Sequence, residues 1–163
     1  MVSKHITILG IGNFLFRDEG VGVRVIQELQ ERYAFSDNVS VVDGGVLGLN
    51  LLGIISKADH LIVFDAVKNK VRPGEMYRLA GDAIPARIRA KTSLHQVDFL
   101  EALAVCQAPD KVPETVILGV EPEDIESFSV DLIPAVQTKV EMMIDRVLAE
   151  MDRLGAAYQK RSM

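Results

Sequence analysis

Short apolar runs alternate along the chain with segments whose apolar residues recur at helical spacing, and this alternation sets the fold class. HITILGI (5–11) reads as a buried strand, and in EGVGVRVIQELQERY (19–33) Val21, Val25 and Leu29 share one helical face with Ile26 beside them. VSVVDGG (39–45) is a second strand and LGLNLLGIISKA (47–58) a second helix. HLIVFDAV (60–67) is a third strand, apolar on both faces as strands between helical layers are. GEMYRLA (74–80) alternates like an exposed edge strand, and SLHQVDFLEALAV (93–105) opens a helix with Ser93 and Gln96 at capping-box spacing. ETVILGV (114–120) supplies the fifth strand. Ile133, Val136, Val140, Met143, Val147, Met151 and Leu154 then form one stripe, predicting a single long helix over 130–154 that stops at Gly155. Residues 107–115 and 121–129 read as loops. The pattern predicts an α/β fold: a three-layer α/β/α sandwich with a five-stranded, mostly parallel twisted sheet and right-handed crossovers. Residues 1–163 are expected to form one domain, its ligands bound beyond the carboxyl ends of the strands.

Composition narrows the function classes. The chain has 163 residues and a net charge of −5, which disfavours a nucleic-acid binder because such affinity draws on clustered Lys and Arg. The one basic cluster, Arg87, Arg89 and Lys91 in AIPARIRAK (83–91), reads as a solvated loop near the rim. No apolar run is long enough to span a bilayer, and the N-terminus enters a strand without signal-peptide features, so a cytoplasmic location and no membrane partner are expected. Cys106 is the single cysteine; its neighbours suggest a buried small residue rather than a nucleophile.

LGIGNFLFRDEGVGVRV (9–25) looks at first like a dinucleotide turn. That fingerprint needs a third glycine three residues after Gly12, but position 15 is leucine, and NFLFRD separates the glycines from the helix that would face a pyrophosphate. Asp43 lies well beyond the roughly 20-residue spacing of the ribose-binding acid, and no Gly-Lys-Ser/Thr follows to make a phosphate loop. The late helix start instead makes room for another ligand. Taken alone, Asp18 and Glu19 in its first turn read as a cap and a complement to the helix dipole.

The ionisable residues at the carboxyl ends of the strands give a second reading. Glu19 follows the first strand, Asp43 ends the second, Asp65 ends the third and His95 follows the fourth, so all four should gather on one rim. His5 and His60 fall at amino ends, on the opposite rim. A histidine in the first turn of a helix is disfavoured as imidazolium and can donate a lone pair. Two carboxylates and an imidazole with open positions form a transition-metal site, and ligand type alone leaves nickel, zinc and iron open. Individually, Asp65 also fits a strand-end carboxylate accepting backbone N–H groups, and His95 an ordinary surface histidine. No HExxH pair, cysteine cluster or GxSxG elbow is present.

GIGNFLFRDEGVGVRVIQEL, DGGVLGLNLL, LIVFDAV and SLHQ, in this order and at these intervals, resemble the NiFe-hydrogenase maturation endopeptidases over essentially the whole chain. The resemblance implies removal of a C-terminal extension from the hydrogenase large-subunit precursor after nickel insertion. It also implies a metal held by Glu19, Asp65 and His95, which would be the catalytic residues, and a role for Asp43 in substrate discrimination. Gly44 and Gly45 would let the peptide approach the backbone closely, or serve only as a tight turn. Nickel is expected to arrive with the substrate, and the enzyme is expected to be a monomer. A nickel-dependent chaperone that binds the precursor without cutting it, and a dinucleotide-binding protein, are the alternatives.

Overall fold

The computed structural model describes residues 4–45, 50–68, 70–81 and 113–162. His95, the helix expected over 93–105, the 83–91 loop with Arg87, Arg89 and Lys91, and Cys106 lie outside the described residues. The elements are β1 (Ile6–Ile11), a 3-10 turn (Arg17–Gly20), α1 (Val21–Arg32), β2 (Tyr33–Phe35), β3 (Val39–Gly45), α2 (Asn50–Lys57) and β4 (His60–Ala66). After them come β5 (Met76–Ala80), β6 (Glu114–Val120), α3 (Pro134–Gln137), α4 (Val140–Leu154) and β7 (Tyr158–Lys160).

Five strands form one sheet in the order β3-β1-β4-β6-β5, parallel except for β5, which runs antiparallel along β6 as the edge. Strand periodicity sorts the core onto two faces. Ile6, Ile8, Ile62, Phe64, Val116 and Leu118 pack beneath α1 and α4. Leu9, Ile11, Leu61, Val63 and Ile117 pack on the other face with Ile55 of α2 and with Ala58. Helical cover on both faces of a mostly parallel sheet is the three-layer fold that the alternation predicts.

Two local expectations need correction. The single helix over 130–154 is two, α3 and α4, and it begins four residues later. Ile133 is extended (ψ 143°) because the following Pro134 disfavours helical backbone before it, while Pro134 itself suits a first helical turn. At the other end Gly155 takes φ 70°, with Gly155 N–H on the Asp152 carbonyl at 3.2 Å and Ala156 N–H on Met151 at 2.9 Å, the expected stop. The second correction is an addition: β2 and β7 form an antiparallel ribbon outside the main sheet. Tyr33, Phe35 and Tyr158 stack there at centroid distances of 6.2–6.4 Å and pack against the α1/α4 core.

Parallel strands put their carboxyl ends on one rim, but β5, the described strand that precedes His95, is antiparallel and ends at the opposite rim with Ala80 beside Val116, so strand direction does not carry His95 to the carboxyl rim as it carries Asp43 and Asp65. His60 opens β4 at the opposite rim, with its Nδ1 3.4 Å from Glu114 Oε2, and His5 precedes β1 with Nε2 3.0 Å from Ser40 Oγ. Both therefore stand away from the carboxyl rim, as the sequence predicts.

Candidate active site

The glycines explain why α1 begins late. After β1, Gly12 (φ 137°) gives its N–H to the Gly45 carbonyl at 3.1 Å, and the space a Gly12 Cβ would need is taken by the Glu19 carbonyl. A Cβ on Gly20 would overlap the Phe14 backbone, and one on Gly22 would overlap the Phe64 and Ile11 carbonyls. Side-chain-free positions thus let the 3-10 turn and the first residues of α1 settle directly onto the ends of β1 and β4. Both the Cβ space and the N–H donor of Gly12 are used by the protein's own backbone.

This packing seats Glu19 and Asp65 on the same rim. Glu19 is half-buried in the 3-10 turn, which packs against β4. Asp65, next to the Phe64 that Gly22 abuts, is only 3% exposed and opposite Gly119 of β6. Their oxygen donors suit a divalent cation, and a carboxylate here can equally accept a proton. Among the described residues no three His, Cys, Asp or Glu side chains stand together as a metal cluster; the third expected ligand, His95, is not among them.

Asp18 does something other than the capping role expected for it. Helix α1 has no side-chain N-cap, and Asp18 is fully buried. Its Oδ2 accepts the N–H groups of Glu123 (2.8 Å) and Asp124 (2.9 Å), and its Oδ1 accepts that of Ile133 (2.9 Å). Asp124 in turn accepts the N–H groups of Glu126 and Ser127, and hydrogen bonds from Ser127 and Glu126 hold its carboxyl below the ordinary range. Arg17, just before Asp18, adopts a left-handed backbone (φ 46°) that costs a non-glycine residue roughly 1–2 kcal/mol. It is held there by its N–H on the Ser129 carbonyl (2.8 Å) and its Nε on Asp131 (3.3 Å).

On the other side of Gly12, the Asp43 turn borders a cleft of about 390 Å³ lined by Gly12, Asn13, Phe14, Leu15, Val23 and Asp43, together with Gly45. Asp43 is exposed, and its Oδ1 accepts the Gly45 N–H at 2.9 Å. Gly45 has φ 46°, and the pairing of β1 with β3 skips Gly44, so Ile11 faces Gly45. A bulge at a strand end re-aims the chain, and here it turns Asp43 toward the cleft that the Gly12 turn also borders.

The sequence reading did not name Glu121. It follows β6 on the same carboxyl rim, is 3% exposed, and accepts the Tyr77 hydroxyl at 2.9 Å. The strand-end rule that selected Asp65 could have found it, since Glu121 directly succeeds the apolar run ETVILGV.

Comparison with known proteins gives this rim its context. A family model described as hydrogenase maturation protease matches residues 23–150. The chain belongs to the hydrogenase maturation protease family. It is 37% identical over 153 residues to the hydrogenase 2 maturation protease of Escherichia coli strain K12, with 93% of each chain covered. It is 38% identical to the hydrogenase expression/formation protein HupD of Bradyrhizobium diazoefficiens, covering 98% of this chain and 84% of the relative. The solved structure of the hydrogenase maturating endopeptidase HybD from E. coli is similar at a TM-score of 0.91 and 35% identity, covering 96% and 98% of the two chains. Family membership makes this chain a hydrolase of the endopeptidase class, and its fold is the one the resemblance implied. Among the described residues no helix is long and apolar enough to cross a membrane.

Proposed function

We propose that this endopeptidase removes the C-terminal extension of a nickel-loaded NiFe-hydrogenase large-subunit precursor, gripping the substrate's nickel through Glu19, Asp65 and His95. The observation that carries the reading is the glycine-tight seating of the Glu19 turn on the ends of β1 and β4, beside Asp65. Two carboxylates and an imidazole leave coordination positions for the substrate, which suits a cation delivered by the precursor better than a closed structural site. The nickel would supply Lewis-acid polarisation at the scissile carbonyl. In the hydrolysis, water oxygen adds to the carbonyl carbon while a rim carboxylate, Glu19 or Asp65, takes its proton. The C–N bond then breaks and that proton passes to the leaving amine. Asp43, at the mouth of the cleft, with Gly44 and Gly45, is assigned to discrimination among precursors. In this reading the reaction is cytoplasmic and the enzyme acts as a monomer.

The test is to incubate the purified enzyme with its cognate precursor, with and without inserted nickel, and to follow intact masses. Loss of a C-terminal peptide from the nickel-bearing sample alone is expected. Cleavage without nickel would overturn the metal-sensing step and keep the protease; no cleavage of a properly loaded precursor would favour the chaperone. Glu19→Gln and Asp65→Asn should each slow processing at least about a hundredfold, the scale of losing a general base.

A further inference from the structure

The Asp18 carboxylate serves a segment that the reaction above does not use. A carboxylate removed from water is costly unless its oxygens are hydrogen-bonded, and those of Asp18 accept three backbone N–H groups from residues 123–133. The same segment is fastened along its length to the stretch that precedes Glu19. Ser129 N–H reaches the Leu15 carbonyl at 2.8 Å, Asp18 N–H reaches that of Asp124 at 3.0 Å, and Phe16 and Ser129 form a parallel bridge. Arg24 Nη2 donates to the Val130 carbonyl at 3.1 Å.

On this pinned backbone stand exposed apolar side chains. Phe128 is 77% exposed and meets the Phe16 ring in a T-shaped contact at 5.9 Å between centroids, while Phe14 and Val130 are each 51% exposed. Exposed apolar side chains on a hydrogen-bonded backbone suit an interaction site, since little ordering entropy remains to be lost on binding. Phe14 and Leu15 line the cleft beside Asp43, and the Leu15 carbonyl accepts the Ser129 N–H at 2.8 Å, so the 128–130 stretch adjoins the cleft through Leu15.

We propose that Asp18 is a positioning residue for precursor recognition: it locks the 121–133 segment onto the Glu19 turn, so that Phe14, Phe128 and Val130 stand preformed as a contact surface for the large-subunit precursor. The proposal rests on the reading that the precursor docks at the carboxyl rim. The occupant follows from continuity: the surface runs into the cleft beside Asp43, the residue assigned to discrimination among precursors.

The experiment uses the full-length enzyme and nickel-loaded cognate precursor, and measures both steady-state cleavage and precursor Kd. Phe128→Ala, a change on the solvent side, is expected to raise KM and Kd about tenfold, the scale of losing an aromatic anchor, with the loss on KM rather than kcat. Asp18→Asn keeps one acceptor oxygen and turns an NH2 toward a backbone N–H. It should raise KM likewise and speed hydrogen exchange at the amides of residues 123, 124 and 133, while β4 and β6 stay protected. Met142→Ala, an exposed apolar residue of α4, is the control and should leave KM at the wild-type value. Unchanged KM and Kd in Phe128→Ala would overturn the contact surface, as would a shift from dimer to monomer on sedimentation at unchanged KM, which would mark a contact between two copies. Unchanged KM and loop exchange in Asp18→Asn would overturn its positioning role. Because Kd is read without cleavage, wild-type processing by Glu19→Gln would sink the ligand assignment and leave this surface to its own result.

Discussion

Single atoms decide much of this site. Glycine is required where a Cβ would meet backbone, and the glycines of this chain divide sharply on that criterion. Gly22 faces two carbonyl oxygens, so Gly22→Ala should cost about 2–4 kcal/mol by forcing α1 off the strands. Gly53 of α2 is exposed with nothing within 4 Å, so Gly53→Ala should stabilise by about 0.5–1 kcal/mol through helix propensity and unfolded-state entropy. Urea unfolding of the two variants measures both; equal effects would refute the backbone-contact account of Gly22. In the sequence, Gly10 and Gly12 lack the third glycine of a dinucleotide turn, and nothing local distinguishes Gly22 from Gly53. The packing roles of Gly12, Gly20 and Gly22 were out of its reach, because the atoms they meet belong to Phe64, Phe14 and Glu19, reached only by folding.

At the scale of elements, α4 is tied to the sheet edge by a charged cluster as well as by its apolar stripe. Glu150, buried on α4, accepts Arg78 Nε of β5 at 2.5 Å and Arg153 Nε at 2.8 Å. Burial pushes the Glu150 carboxyl up, but hydrogen bonds from Arg78 and Arg153 outweigh it and hold the group below its ordinary value. A depressed folded pKa means the unfolded chain takes up the proton first, so the contribution is complete above the unfolded value of about 4.3 and fades as pH falls through the folded one. Glu150→Gln should therefore lower stability at pH 7, and the gap from wild type should close on acidification below the folded value. Chemical denaturation across pH 7 to 2 checks this, and a gap that stays constant would refute it. The stripe was readable from periodicity alone. The break before α4 was less so, since one proline and one turn interrupt the pattern without disturbing its phase.

Taken whole, the molecule keeps its two ends apart. Helix α1 starts at the carboxyl rim and delivers the chain to β2 at the far end, where β7 pairs with it across a separation that local sequence cannot register. Truncation after Ala157 removes β7 and exposes Tyr33 and Phe35, so the thermal midpoint should fall while precursor KM stays at the wild-type value; a changed KM would show that the ribbon and the rim are coupled. The sequence by itself determined the strand and helix alternation, the edge strand, the glycine stop of α4 and the opposite placement of His5 and His60, because those depend on periodicity, local backbone preference and strand direction. It also named Glu19 and Asp65, since parallel strands must bring their carboxyl ends to one side. Only the tertiary structure decided that Asp18 is a buried clamp rather than a cap, that Glu121 lies buried on the same rim under Tyr77, and that Phe128 stands exposed beside Phe16. Those properties depend on which distant backbone groups lie within hydrogen-bond reach and on what remains outside the packed core, and neither quantity exists until the chain has closed.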